Sequence, residues 1–244
     1  MSYSSQSASG ATAYYAEAAT DAGFTAVIGN SGWIALTSHE FTGLTDGQIY
    51  YYRVKSWDAA ENESAWSNVE SSTQDDTAPA TAAQDPGAIQ PAQTFDVPYG
   101  ASDATSGMQY VELWYQVDGG GYLQFGSTFT TSPISFTATA DGFYEFYTVG
   151  TDNVGNVEAA PASADVSTTV DSTAPTVANV ALENLTLDHT NEYAKDGDNL
   201  ELTATVSDNI STLSASDITA DFSTLLSGAG SAVAAESYEG GTAT

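Results

Sequence analysis

The residues best suited to chemistry in this sequence are carboxylates and amides, many of them next to predicted turns. The acids and amides with the most suggestive positions are Asp75, Asp76, Asp103, Asp152, Asn153, Asn156, Asp171 and Asp208. Ca²⁺ binds about 6–8 hard oxygen ligands of this kind and tolerates irregular geometry. If the fold brings several of them together, the sequence predicts a calcium site.

Other chemistry has little support. His39 and His189 are the only histidines, and neither accompanies a nucleophile elbow, a metal-binding histidine pair or a glycine-rich phosphate loop. Carboxylates are plentiful, but glycoside hydrolysis needs two of them at a set separation in a cleft, which a small β-domain rarely provides by itself. We therefore expect a protein without enzymatic activity.

The charge balance limits the partners. The 244 residues include 3 Lys and Arg against 32 Asp and Glu, which gives a formal net charge of −29. Such a charge repels phosphate backbones and anionic lipid, so nucleic acid is excluded as a partner. No apolar run approaches the roughly 20 residues of a membrane span, so membrane insertion is not expected. Cysteine is absent, which rules out disulfides and thiolate metal sites.

An internal repeat organises the chain. Tyr50 and Tyr144 lie 94 residues apart (144 − 50), as do Asp58 and Asp152 (152 − 58), and the linker 75–79 recurs 96 residues later (171 − 75). This period suits an immunoglobulin-like sandwich of about 100 residues. The repeat divides the chain into an N-terminal segment (1–75), a middle segment (76–171) and a C-terminal segment (172–244).

Alternating apolar residues predict the strands. In the middle segment they predict strand B at 95–99, strand C at 111–117 and strand F from Tyr144, with 118–121 as the hairpin turn after strand C. In the C-terminal segment they predict strand B at 200–206.

The two end segments are expected to be incomplete. In the N-terminal segment only the polar run 1–12 precedes a predicted strand C at 14–25, so strands A and B are expected to be missing. The C-terminal segment is expected to lack its last strands. We expect a clipped reading frame at both ends, and the alternative is that another chain donates the missing strands.

The passage 41–58 strongly resembles the end of a fibronectin type III domain. Leu44, Gly47 and Tyr50 stand at that family's spacing for a tyrosine corner, in which the tyrosine hydroxyl bonds the preceding turn. The middle and C-terminal segments resemble bacterial immunoglobulin-like domains. The resemblance implies an all-β fold of tandem immunoglobulin-like and fibronectin type III sandwiches, in an extracellular or cell-surface protein.

Such a sandwich places the start of strand A, the loop between strands B and C and the loop between strands F and G at one end. The first junction would then gather Asp75 and Asp76 with Asp103 and the loop 152–156, with Glu158 as a further candidate. This arrangement resembles cadherin-type calcium linkers, although the exact cadherin linker motif is absent.

The second junction repeats the pattern in part with Asp171 and 208–209. The competing interpretation of both junctions is that the acids are ordinary solvated turn residues and the linkers only stiff connectors.

A glycan platform is a second candidate site. Tyr51, Arg53, Lys55 and Trp57 are expected to face outward on strand F of the N-terminal segment, and Trp114 outward on strand C of the middle segment. Exposed aromatic rings stack on sugar faces. The alternative is that the Arg and Lys stems only cover aromatic neighbours on an ordinary sheet face.

These features favour a non-enzymatic spacer or adhesion module, with interdomain hinges stiffened by calcium. Its partners would be other domains of the same longer chain, glycans or surface proteins. Two alternatives stay open: an accessory region of a secreted polysaccharide-degrading enzyme, and acidity that reflects adaptation to high salt.

Overall fold

The computed structural model describes residues 2–4, 10–188, 190–192, 197–210, 219–220, 233–234, 238–239 and 242–243. The described residues form strands and no helix, which confirms the all-β fold class. None of them forms a helix able to cross a membrane. All of their strand pairings lie within one of the three segments.

The N-terminal segment has two sheets. Its strands are β1 Ser2–Ser4, β2 Ala11–Ala19, β3 Val27–Asn30, β4 Ser38–Glu40, β5 Ile49–Asp58 and β6 Glu70–Thr73. One sheet has the order β3-β2-β5-β6 and the other pairs β1 with β4. The side chains of Ala16, Ala18, Phe41, Tyr50 and Tyr52 form a small buried core.

Two details of this segment differ from the sequence expectation. The polar run 1–12, expected to supply no strand before β2, contributes β1, which pairs with β4 in antiparallel register. The open backbone edge of β4 needs hydrogen-bond partners, and extended residues of any polarity can supply them. Strand C ends at Ala19 rather than residue 25, because Asp21 accepts hydrogen bonds from the backbone N–H groups of Gly23, Thr25 and Ala26 and so closes a turn.

The middle segment is a β-sandwich of nine described strands. Its strands are β7 Ala80–Ala83, β8 Ile89–Gln90, β9 Thr94–Val97, β10 Tyr99–Ser102, β11 Met108–Val117, β12 Leu123–Phe129, β13 Ile134–Thr137, β14 Gly142–Asp152 and β15 Val166–Val170. One sheet has the order β12-β11-β14-β15-β8, and the pairs β10-β7 and β13-β9 lie opposite. The predicted strands B, C and F correspond to β9–β10, β11 and β14. Pro98 interrupts strand B because proline has no N–H to donate.

Alternation sets the core of the middle segment. The inward positions of its strands are almost fully buried, as shown by Val97, Leu113, Ile134, Phe136, Tyr144, Phe146 and Val170. The residues between them along each strand point to the other face, as the period of two requires. The core therefore fixes which side chains of β11 and β14 reach the surface.

In the C-terminal segment, β16 Thr176–Asn184 and β17 Leu200–Ser207 form an antiparallel ribbon in which Leu182 lies opposite Leu202. The ribbon continues through β21 Thr242–Ala243 and β20 Tyr238–Glu239, while β18 Thr219–Ala220 pairs with β19 Val233–Ala234. The strand predicted at 200–206 corresponds to β17.

The tyrosine corner is confirmed in two segments. The hydroxyl of Tyr50 accepts a hydrogen bond from the N–H of Thr45 at 2.8 Å. The hydroxyl of Tyr144 accepts from the N–H groups of Thr139 and Ala140 and donates to the carbonyl of Ala140 at 2.9 Å. Each tyrosine thereby fixes the turn that leads into its strand.

Candidate metal centre

Three carboxylates from three different elements converge at the start of the middle segment. One oxygen each of Asp75, Asp103 and Asp152 lies within 4.8 Å of the others, and together they could hold a metal ion. Asp152 is completely buried, Asp75 is 7% exposed and Asp103 is half-buried. They belong to the linker, to the loop between β10 and β11, and to the end of β14. We call them the acidic cluster.

Local turns aim these side chains inward. Asp152 Oδ1 accepts hydrogen bonds from the N–H groups of Val154, Gly155 and Asn156 at 2.7–2.9 Å, so the loop after β14 wraps around the carboxylate. Asp103 Oδ1 accepts in the same way from the N–H groups of Thr105 and Gly107. Aspartate commonly closes such turns with its own following backbone.

Asp75 joins the linker to the neighbouring loop. Its Oδ2 accepts the N–H of Ser106 at 2.9 Å, and its Oδ1 accepts the N–H of Thr77. The contact to Ser106 crosses from the linker to the loop that carries Asp103. The linker is therefore part of the cluster rather than a free connector.

The cluster carries negative charge in a confined space. Burial raises the pKa of Asp152, but hydrogen bonds from the backbone and side chain of Asn156 and from Gly155 and Val154 outweigh that effect, so the pKa lies below its usual value. Asp152 is thus a buried, ionised carboxylate with two acidic neighbours. Like charges at such distances repel, and a divalent cation would remove the repulsion.

The oxygen donors of the acidic cluster suit a hard cation. The hydrogen bonds that Asp103 receives from Thr105, Ser106 and Gly107 all go to Oδ1, so its Oδ2 is a candidate ligand atom. Oxygen donors without nitrogen or sulfur favour Ca²⁺ or Mg²⁺ over transition metals.

The other residues predicted for this junction lie outside the cluster. Asn156 donates its amide to Asp152 Oδ2 and to the carbonyls of Asp75 and Thr77, so it ties the loop after β14 to the linker. Asn153 donates to the carbonyl of Ser106. Both amides therefore hold the surrounding loops in place.

Asp76 and Glu158 also point elsewhere. Asp76 is exposed and accepts from the side chain of Gln74. Glu158 bridges β7 and β14 by accepting from the N–H groups of Thr81 and Gly150.

The second junction has different geometry. Asp171 donates its N–H to the carbonyl of Gln90, and Asp208 accepts the N–H of Ile210. Within the described ranges, neither belongs to a group of three potential metal ligands.

Asp141, which the sequence analysis did not single out, accepts hydrogen bonds at the second junction from the linker residues Ser172 and Thr173. Its position in an Asp-Gly turn matching 46–47 was the signal that could have identified it.

The aromatic row of the N-terminal segment is engaged internally. The guanidinium carbon of Arg53 lies 4.0 Å from the ring centres of both Phe24 and Trp66, and Arg53 also pairs with Glu17 at 2.7 Å. Trp57 stacks on Trp33 at 4.2 Å. These contacts match the arrangement in which cationic stems cover aromatic neighbours.

Other members of the proposed glycan platform are half-buried. Lys55 pairs with Glu63, with its Nζ 5.0–5.4 Å from the centres of three rings. Tyr51 is half-buried on β5, and Trp114 donates to Glu112 and stacks on Tyr147. Glycan binding by this surface stays a prediction.

Both histidines lie more than 30 residues along the chain from every member of the acidic cluster. His39 lies on β4, half-buried, with its ring edge against Phe41 at 4.7 Å. His189 lies outside the described residues.

Comparison with known proteins gives a partial relationship. No protein-family model matches the chain. Over 135 residues the chain is 36% identical to Exoglucanase B of Cellulomonas fimi, a match that covers 52% of this chain and 12% of that protein. The chain thus corresponds to a small part of this relative's length.

Proposed function

We propose that this chain is a non-catalytic spacer of tandem β-sandwich units in which a Ca²⁺ ion at Asp75, Asp103 and Asp152 stiffens the first joint. The observation that carries the proposal is the acidic cluster, because its three carboxylates come from the linker, from the loop between β10 and β11 and from the end of β14. An ion held by all three would fix the linker against that sandwich. The protein's role would then be mechanical: to hold its segments at a set orientation.

Calcium is the cation that suits this site best. Three carboxylates leave coordination positions for water and carbonyl oxygens, which Ca²⁺ accepts with little angular preference, whereas Mg²⁺ needs a near-octahedral set. Extracellular calcium modules bind with dissociation constants of about 10⁻⁴–10⁻³ M. Free calcium at about a hundredfold excess over the dissociation constant would add about 2.7 kcal/mol to the free energy of unfolding.

The test is thermal unfolding of the whole chain in EDTA, in CaCl₂ and in NaCl of equal ionic strength. We expect CaCl₂ to raise the melting temperature beyond the NaCl control, and Asp103→Ala to abolish that difference. Asp58→Ala is the matched control, because Asp58 occupies the position equivalent to Asp152 in the N-terminal segment and should leave the calcium response intact. If NaCl stabilises the protein as well as CaCl₂ does, the cluster is a set of solvated turn acids and the proposal fails.

A second, compatible candidate is that the spacer is an accessory region of a secreted polysaccharide-degrading protein, and hence extracellular. The match to Exoglucanase B over half of this chain supports it. Sequencing the coding region on both sides tests it, with a glycoside-hydrolysing region in the same reading frame as the expected result. A frame that encodes only further sandwich units and a surface anchor would instead favour an adhesion or cell-surface spacer.

A further inference from the structure

Two aspartates in equivalent turns bind the linkers that follow their own segments. Asp46 precedes the tyrosine strand β5, and its Oδ1 accepts the N–H of Asp76 at 2.8 Å while its Oδ2 accepts the hydroxyl of Thr77. Asp141 precedes the tyrosine strand β14, and it binds the second linker in the same pattern. Its Oδ1 accepts the N–H of Ser172 at 2.9 Å and its Oδ2 accepts the hydroxyl of Thr173.

The agreement extends to the individual oxygen atoms, and it includes the one position at which the two linkers differ, Asp76 and Ser172. In both junctions one oxygen binds the N–H of the second linker residue and the other binds the threonine hydroxyl that follows. Hydrogen bonds to an ionised carboxylate are about twice as strong as those between neutral groups. Two of them from adjacent linker residues fix both the position and the direction of the linker.

An asparagine of the following segment adds a contact at each junction, to the linker at the first and to the turn aspartate at the second. At the first junction Asn156 of the middle segment donates to the carbonyls of Asp75 and Thr77 at 3.1 and 3.3 Å. At the second junction Asn209 of the C-terminal segment donates directly to Asp141 Oδ2 at 3.1 Å. Each linker then enters an Ala-Pro pair, in which the proline restricts the backbone of the residue before it.

We propose that the aspartate before each tyrosine strand is the docking point for the next segment, so that both joints hold a set orientation before any metal ion binds. An ion at the first joint would stabilise that orientation further. The partner that fits this surface is a sandwich segment entered through an Asp-x-Thr-Ala-Pro linker. The tyrosine corners stabilise the docking points, because the hydroxyls of Tyr50 and Tyr144 accept hydrogen bonds from the turns in which Asp46 and Asp141 lie. This inference is separate from the calcium proposal, since Asp46 and Asp141 are not members of the acidic cluster.

The test measures the distance between the N-terminal and middle segments with two spin labels on the full chain. The chain has no cysteine, so labels at Ala60→Cys and Thr128→Cys, both exposed positions, would be the only ones. The measurement is made in EDTA on the protein that is otherwise wild type, on Asp46→Ala and on Thr77→Val. Thr77→Ser, which keeps the hydroxyl, and Asp21→Ala, which removes a turn aspartate away from the linker, are the matched controls.

In EDTA we expect one narrow distance distribution for the unsubstituted protein, Asp21→Ala and Thr77→Ser. Asp46→Ala and Thr77→Val should widen it by about twofold or more, because a released linker samples many conformations. Thr77 is exposed, so Thr77→Val remains informative even if Asp46→Ala disturbs folding.

Two results would overturn the inference. The first is an unchanged distribution in both Asp46→Ala and Thr77→Val. The second is a distribution for the unsubstituted protein that is broad in EDTA and narrows only with CaCl₂, which would leave the calcium proposal standing. Conversely, a narrow distribution in EDTA with no calcium-specific rise in melting temperature would refute the calcium site and retain the docking point.

Discussion

At the scale of single residues, the same aspartate turn occurs twice in different surroundings, at Asp58 and at Asp152. Asp58 accepts the N–H groups of Ala60 and Asn62 and the side-chain amide of Asn62, as Asp152 does with its own loop. Asp152 also meets Asp75 and Asp103, whereas Asp58 belongs to no such group among the described residues. The local hydrogen bonds hold each aspartate ionised, and only its neighbours determine whether it can take part in a metal site.

The pH dependence of stability should reveal the hydrogen bonds of Asp58. The pKa of Asp58 lies below its ordinary value of 3.8, first because of the side-chain amide of Asn62 and then because of backbone N–H groups, against an opposing effect of burial. Because the folded pKa lies below the unfolded one, the stabilisation is complete above about pH 3.8 and disappears as the pH falls through the lowered folded value. We expect Asp58→Ala to lower the free energy of unfolding near neutral pH. The loss should become progressively smaller as the pH falls below about 3.8.

Urea unfolding in EDTA across the acidic pH range measures this difference. Glu61→Gln is the control, because it removes one charge from the same loop. A cost of Asp58→Ala that is the same at every pH would contradict the assignment.

At the scale of strands, the outer face of the β2-β5 and β11-β14 pairs is covered by matched side chains. Glu17 and Arg53 lie opposite each other on β2 and β5, and Trp114 and Tyr147 lie opposite each other on β11 and β14. Arg53 and Tyr147 are equivalent in the repeat, so an ion pair in one segment corresponds to an aromatic pair in the other. Cross-strand pairs of both kinds stabilise a sheet.

The Arg53 contacts should contribute measurably to the stability of the N-terminal segment. We expect Arg53→Met to lower the free energy of unfolding by about 1–3 kcal/mol, because it removes two cation–π contacts and leaves Glu17 without its partner. Arg53→Lys should retain only part of the free energy that Arg53→Met loses, since Lys lacks the planar guanidinium group.

Urea unfolding followed by tryptophan fluorescence measures the cost. Lys55→Met is the matched comparison, because Lys55 lies farther from its rings and pairs with the half-exposed Glu63. An Arg53→Met cost no larger than that of Lys55→Met would show that the close stacking contributes little.

At the scale of the whole molecule, the net charge of −29 opposes compaction. The structure distributes part of this charge into hydrogen-bonded turns, as at Asp46, Asp58, Asp141 and Asp152, where hydroxyl, side-chain amide or backbone N–H donors lower the pKa of each carboxyl. These local donors keep the carboxylates ionised but do not cancel their mutual repulsion. Mobile cations must supply the remaining screening.

We therefore expect NaCl to raise the melting temperature of the EDTA-treated chain, with most of the rise below about 0.15 M. Over that range the Debye length falls from about 30 Å at 0.01 M to about 8 Å, which screens charges on neighbouring loops. Scanning calorimetry over a series of NaCl concentrations measures the effect. A melting temperature that is constant up to this concentration and rises only in molar salt would point to a general salt effect on hydration instead.

The all-β fold, most strand positions in the middle segment and the two tyrosine corners were predictable from the sequence. These features depend on contacts between residues close along the chain, where a period of two and a turn residue are enough to specify the geometry. The aspartate turns at Asp58 and Asp152 belong to the same class. The pairing of β1 with β4 was not predictable, because the polar run that forms β1 carries no alternation.

Which of the eight candidate acids and amides converge was decided only by the tertiary structure. Asp75, Asp103 and Asp152 come from distant parts of the chain, and their distances depend on how the linker crosses the end of the following sandwich. Loop topology indicated the right end of the domain, but a side chain as short as that of aspartate reaches the cluster only if its turn directs it inward. Asp76 is next to Asp75 in sequence and points away, because its N–H is bound by Asp46 and its carboxylate by Gln74.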